Sequence, residues 1–279
     1  MKISIAVPSY NYGIYISDCL NSILSQDYSN FEVLICDGGS KDDSLNIIQA
    51  FCLKDKRFKL VSESDNGQSD AIIKAFHKSD GDILCFLNAD DIFITKTVFR
   101  EVVTTFLNFN NIDIISFGGY YINSTGINIK KINLRYHSFD NFAQMKYRTA
   151  VIQPSTFWKR HVYINTPFRK GFEFSFDSVF FYECFLKYNW LELDLPVSGY
   201  RWHNNNKSAS VSSKRVVELM NFEKIKFGNF SFRVFYLKFI YLIFILVENI
   251  ILIPNKVKNI IRILINAISY LTFYRLPSI

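Results

Sequence analysis

Short apolar runs of β character alternate with segments of helical periodicity over the first 117 residues, and few folds accept that alternation. Lys2–Val7, Phe31–Cys36, Lys59–Ser62, Asp82–Leu87 and Ile112–Phe117 read as strands. Between them, Tyr15–Gln26, Ser44–Phe51, Asp70–Lys78 and Thr95–Leu107 read as helices, the first with Ile16, Leu20, Ile23 and Leu24 on one face. This order gives an α/β fold, a mostly parallel sheet flanked by helices, because parallel neighbours need crossovers of this length. The amino terminus is too short and too soon interrupted by Pro8 for a signal peptide, and reads as the first strand.

After Gly118 the rhythm changes. Tyr120–Asn123 and Ile127–Leu134 predict a hairpin around Asn123-Ser124-Thr125-Gly126. Phe139–Lys146 reads as a short helix, Ser175–Tyr188 as a long aromatic one, and Leu191–Arg201 as the last strand. His203–Ser213 is polar and reads as a loop. From Val216 the chain is helical and increasingly apolar, so a domain of residues 1–212 is expected before a helical segment, 213–279. The five cysteines are scattered and form no C-x-x-C pair, which suits a reducing compartment and no zinc site.

Charge is unevenly divided. From Lys207 onward there are eleven Lys/Arg against three Glu, a net of +8, whereas the first 206 residues carry a net of −1. A basic and apolar tail suits an anionic membrane surface and not nucleic acid, which wants basic residues interleaved with aromatics along a folded groove. Phe239–Val247 is wholly apolar but far too short to cross a bilayer, which takes about 20 residues. Helices lying in the interface are expected, with a single span over Val234–Ile253, which contains Lys238 and Glu248 toward its ends, or a soluble helical cap as alternatives.

Two of the strands stop on acids. Phe31–Cys36 runs into Asp37-Gly38-Gly39-Ser40, and Ile83–Leu87 into Asn88-Ala89-Asp90-Asp91. Open α/β sheets bind ligands at the carboxyl ends of their strands. Oxygens there suit a hard divalent cation, Mn²⁺ or Mg²⁺, and the cation suits a diphosphate. Asp90 is the expected metal ligand, with Asn88 toward the ribose or a metal-bound water and Asp91 beside the metal or capping the next helix. Asp37 can accept a base N–H, Gly38-Gly39 let backbone approach closely, and Tyr10 can lie against the base. Glu63, Asp65, Asn66 and Asp70 can reach sugar hydroxyls or fix Lys74. A transfer to a hydroxyl also needs a base, and Glu173 and Asp177 supply carboxylates at a helix start. Arg201 and Lys207 can hold a leaving diphosphate, and His203 can ligate metal or phosphate. Each acid read alone could instead cap a helix or face water.

In order and spacing, the strings Val7-Pro8-Ser9-Tyr10-Asn11, Cys36–Asp42, Ser62–Ala71, Gly81-Asp82-Ile83 and Leu87–Asp91 resemble family 2 glycosyltransferases of the GT-A (Rossmann-like) fold. Gln153–Trp158 and Tyr200-Arg201-Trp202-His203 complete the set. The resemblance covers about residues 1–210 and looks most like the bacterial branch that builds colanic acid, O-antigen and capsule repeat units. It implies that Pro8, Tyr10 and Asp37 contact the nucleotide, and that Asp90 ends the D-x-D metal motif. It further implies Asp177 as base, His203 as a further metal or phosphate ligand, and Gln153 and Trp158 beside the acceptor. Asn88 stands where D-x-D has its first Asp, and Gly38 where D-D-G-S has its second.

The expected function is therefore inverting transfer of a sugar from a UDP- or GDP-sugar to a hydroxyl of a lipid-linked saccharide. The expected place is the cytoplasmic face of a bacterial inner membrane. The alternative is a membrane-associated partner that keeps the fold without turnover. Nucleotidyl transfer would favour a Gly-rich triphosphate loop, which Gly13 alone does not make.

Overall fold

In the computed structural model of the chain, residues 1–61, 65–132, 151–203, 213–230 and 232–249 are described. They fall into two compact units. Of the described residues, those within 1–132, 151–168 and 183–203 make the first, and those within 169–182 and 213–249 the second. The stretch Arg169–Tyr182, which a boundary at 212 would leave with the sheet, thus groups with the segment after His203.

The first unit is built on one mixed sheet. Strands β1 (Ile3–Ser9), β2 (Phe31–Asp37), β3 (Phe58–Val61) and β4 (Ile83–Phe86) are parallel in the order β3-β2-β1-β4. Helices α1 (Ile16–Leu24), α2 (Ser44–Lys54) and α3 (Gln68–Lys78) make the crossovers. β5 (Ile92–Phe93) and α4 (Val98–Asn108) lead into the long strand β6 (Ile114–Ile122). β6 turns back as β7 (Asn128–Ile132). The turn is held by Asn123, whose Oδ1 accepts the Thr125 and Ile127 amides at 3.0 and 2.9 Å. The expected hairpin is present, with its first strand a continuation of β6.

Four short elements went unread in the sequence: β5, the 3₁₀ turn Gln153–Ser155, β8 (Thr156–Lys159) and the helix α5 (Arg160–Asn165). At two to six residues none displays a period. β8 lies antiparallel between β4 and β6, and β9 (Trp190–Arg201) runs parallel to β6 on its other side. The sheet is consequently parallel across β3 to β4 and mixed beyond.

Every residue of β1 and β2 is buried, as both faces of the parallel half are covered. Ile3, Ile5 and Val7 share one core with Ile16, Leu20 and Ile23 of α1 and Phe99 and Val102 of α4. On the other face Phe76 of α3 meets Trp158 and Tyr163 edge-on. Glu32 lies buried there as well. Burial alone would raise its pKa, but hydrogen bonds from Asp80, Lys59 and Ser4 hold it far below the usual carboxylate range. Gly81 closes on β1 so tightly that a Cβ would sit 2.7 Å from the Ser4 backbone nitrogen.

The second unit contains the first turns of α6 (Phe176–Phe185), then α7 (Ser213–Phe227) and α8 (Phe232–Asn249). Among the described residues no helix is long and apolar enough to cross a membrane. The expected helix at Phe139–Lys146 and the segment after Asn249 lie outside the described residues.

Candidate functional site

The carboxyl ends of β2, β1 and β4 stand side by side, with Ser9 in register with Asp37 and Ala6 with Phe86. The loop after β4 carries Asn88, Asp90 and Asp91, then enters β5 at once. β5 is short, yet it aligns the site. It pairs antiparallel with β9 through Ile92↔Gly199, so stepping back to Asp90 on one strand is stepping forward to Arg201 on the other. His203 follows, and its Nε2 lies 3.0 Å from Asp90 Oδ2. Both side chains are nearly covered, at 8 and 7% exposure, and Tyr15 stacks on the imidazole at 4.9 Å.

The two acids sit in a dry place. Burial pushes the Asp90 carboxyl up, and the His203 hydrogen bond pulls part of that back. Asp91 is pushed well above the carboxylate range by complete burial, with the charge of Asp90 adding to it. Its Oδ1 accepts the Arg201 backbone N–H at 2.8 Å, and its Oδ2 the Asn88 amide at 3.2 Å. Asn88 is itself fixed. Its Oδ1 accepts from Gln68 at 2.6 Å, and its Nδ2 also reaches Gln153 Oε1 at 3.3 Å, while Gln153 donates to the Phe86 carbonyl. The neutral amide in place of the first D-x-D acid thus spares this buried spot a third carboxylate.

Among the described residues no group of three or more His, Cys, Asp or Glu side chains is arranged to hold a metal ion. The pair Asp90 and His203 nonetheless fits one in chemistry, since Oδ2 and Nε2 are oxygen and nitrogen donors that lie 3.0 Å apart. Mg²⁺ and Mn²⁺ sites that hold diphosphates take one or two protein carboxylates and leave the remaining positions to phosphate and water.

Asp37 closes its own turn. Its Oδ1 accepts the Gly39 and Ser40 amides at 3.0 and 2.8 Å, and its Oδ2 the Ser40 hydroxyl at 2.6 Å. A carboxylate offers about four acceptor directions, so one is left for a base N–H. Ser40 therefore serves Asp37 and does not cap α2; Asp42 takes the Ser44 amide instead. Pro8 is buried at the end of β1, and Tyr10 in the loop beyond is 56% exposed, open to a planar ligand. Asp70 binds the Asn66 amide at 2.9 Å and Lys74 at 2.8 Å, and these hold its carboxyl below the ordinary range. It orders its loop and fixes Lys74.

Three residues expected at ligands are buried against protein instead. Arg201, expected on the diphosphate, is completely buried. Its Nε donates to the Asp90 carbonyl at 2.6 Å, Nη1 to the Ser124 carbonyl at 2.8 Å, and Nη2 to Asp18 at 3.2 Å, with Tyr15 over the guanidinium. It braces the acidic loop from behind. Trp158, expected beside the acceptor, is buried between Phe76 and Phe86. Gln153 is buried too and acts on Asn88. Lys207 and Glu63 lie outside the described residues.

Asp177 stands in the first turn of α6, in the second unit, where its Oδ1 accepts the Ser178 amide at 2.7 Å. The backbone just before it is pinned by a residue the sequence reading passed over. Glu218 of α7 is buried and accepts the amides of Glu173, Phe174 and Ser175 at 2.8, 2.8 and 3.1 Å. One carboxylate thus takes three donors at the start of a helix, where negative charge is favoured. No local pattern marks it, because its partners lie more than 40 residues away.

The family model described as Glycosyl transferase family 2 matches residues 4–175. An uncharacterised glycosyltransferase of Rickettsia conorii is 32% identical over 155 residues, which is 55% of this chain and 25% of that protein. The chain thus matches about a quarter of that curated relative's length. Among solved structures, S. aureus TarS 1–349 in complex with UDP-GlcNAc aligns with a TM-score of 0.64 at 19% identity, over 85% of this chain and 69% of that one. The mannosyltransferase PcManGT from Pyrobaculum calidifontis, in complex with GDP-Man and Mn²⁺, aligns at 0.59 and 15% identity, over 98 and 70%. At such identities the likeness is one of fold.

Proposed function

Because this chain belongs to glycosyl transferase family 2 and has the GT-A fold, we propose that it moves a sugar from a nucleotide-diphosphate donor to a hydroxyl of a saccharide acceptor. The observation that carries this reading is the Asp90–His203 pair at the carboxyl edge of the sheet, beside the strand ends that carry Tyr10 and Asp37. UDP- or GDP-sugars are the donors of choice, since solved neighbours hold UDP-GlcNAc and GDP-Man. Tyr10 lies against the base, Asp37 accepts a base N–H, and the diphosphate meets Asp90 and His203. Mn²⁺ or Mg²⁺ held by that pair would offset the charge gathering on the departing diphosphate. Arg201 and Asn88 keep the acidic loop in place.

Transfer with inversion is a single displacement. Asp177 takes the proton of the acceptor hydroxyl, the hydroxyl oxygen bonds to the anomeric carbon, and the bond from that carbon to the diphosphate breaks. The acceptor is a lipid-linked saccharide on the cytoplasmic face of a bacterial inner membrane. The product enters a surface polysaccharide such as O-antigen or capsule. The basic apolar segment after Lys207 supports that placement.

Asp177→Asn tests the reading. Transfer of radiolabelled sugar to membrane glycolipid falls by about 10²–10⁴-fold while nucleotide binding is kept. An unchanged transfer rate removes Asp177 as the base, and no transfer from any nucleotide-sugar by the parent protein favours the non-catalytic partner.

A further inference from the structure

Helix α8 is apolar on opposite sides. Val234 and Leu237 are buried, whereas Phe232, Phe235, Phe239 and Leu242 are 77, 71, 57 and 59% exposed. Steps of three, four and three residues set those four side chains in one stripe along the helix. Phe230, just before the helix, is fully exposed. A helix on a protein surface ordinarily keeps its outer face polar, and a contiguous exposed apolar stripe marks a contact surface.

Charge says what the contact is. No acid lies between Glu223 and Glu248, a stretch that holds Lys224, Lys226, Arg233 and Lys238. Lys238 is exposed at the edge of the stripe. The whole segment from Lys207 carries a net of +8. A row of phenylalanines flanked by lysine, in a strongly basic segment, complements an anionic lipid surface, into which the rings insert while the ammonium group stays among the headgroups. Among the described residues no helix is long and apolar enough to cross a bilayer.

We propose that Phe232, Phe235, Phe239 and Leu242 dock α8 in the plane of an anionic membrane, entering one leaflet without spanning it. The proposal rests on the reading of the enzyme as one that meets a lipid-linked acceptor, and gives that contact its residues.

The full chain is floated with vesicles of phosphatidylcholine alone or mixed with phosphatidylglycerol. The parent protein is expected to bind the anionic vesicles strongly and the neutral ones weakly. The double substitution Phe235→Ser with Phe239→Ser lowers binding on the order of 30-fold or more, as two rings lose their burial. Lys238→Glu keeps the apolar stripe and lowers binding to anionic vesicles about 10-fold, leaving neutral vesicles unaffected. All substituted residues are exposed, so circular dichroism spectra stay those of the parent. Equal flotation of the double variant, or equal binding to both lipid compositions, overturns the proposal. So does a concentration-dependent dimer that the same substitutions abolish, because the stripe then pairs copies of the chain. Nucleotide binding is measured on the same preparations. Its retention without vesicle binding sinks the docking alone, and vesicle binding without it sinks the transferase reading alone.

Discussion

At the scale of single residues, burial decides which charged groups can meet a ligand. Asp90 and His203 keep a little exposure and face each other, whereas Arg201 is fully buried and its donors meet protein acceptors. Glu192 on β9 gives the same principle a pH signature. Its Oε2 is buried without a hydrogen-bond partner, and burial pushes its pKa from 4.5 up to about 7. The folded chain then holds this proton more tightly than the unfolded one. Stability from Glu192 is full below about pH 4.5 and is lost as pH rises through 7. Glu192→Gln removes that loss, so Tm at pH 8 rises by a few degrees over the parent while Tm at pH 5 barely moves. Equal shifts at both pH values, followed by differential scanning fluorimetry, would show that the carboxylate is not the cause. None of this is visible in the sequence, where Glu192 is one acid between two leucines and Arg201 one more cation beside a histidine. Asp90 was legible because an apolar strand ended on it.

Among elements, legibility followed pattern. The first four strands are apolar runs set between polar turns and the helices between them show a helical period, and the sequence marks each to within a few residues. β5 shows none, yet it brings His203 to Asp90. The start of α6 was legible as acids before an aromatic helix; its anchoring by Glu218 was not. That anchoring predicts the behaviour of Glu218→Gln. An amide can accept from only part of the three N–H groups, leaving a buried donor unsatisfied at a loss of about 1–3 kcal/mol of stability. If the held backbone sets the aim of Asp177, kcat falls about 10-fold or more at a temperature where the variant is folded, with KM for the donor unchanged. A variant with lowered Tm and full kcat would make Glu218 a stabilising contact only.

Across the whole molecule, net charge is divided between two stretches of chain. The first 206 residues carry almost no net charge, as suits a site that balances acids against cations, and the excess of +8 lies after them. The fold class was legible because alternation of strand and helix admits few solutions, and the family because its strings recur in order. The second unit's use of Arg169–Tyr182 was not, since it depends on packing between distant segments. The central claim is that Asp90 and His203, held against each other at 3.0 Å, form the protein's share of a cation-dependent diphosphate site. Isothermal titration calorimetry of UDP and GDP, with and without Mn²⁺, tests it on the parent protein, Asp90→Asn and His203→Ala. The expected result is saturable heat for one of the nucleotides that needs the cation and weakens at least about tenfold in each variant. Heat that is the same without the cation and in both variants, or no heat from either nucleotide, would contradict it.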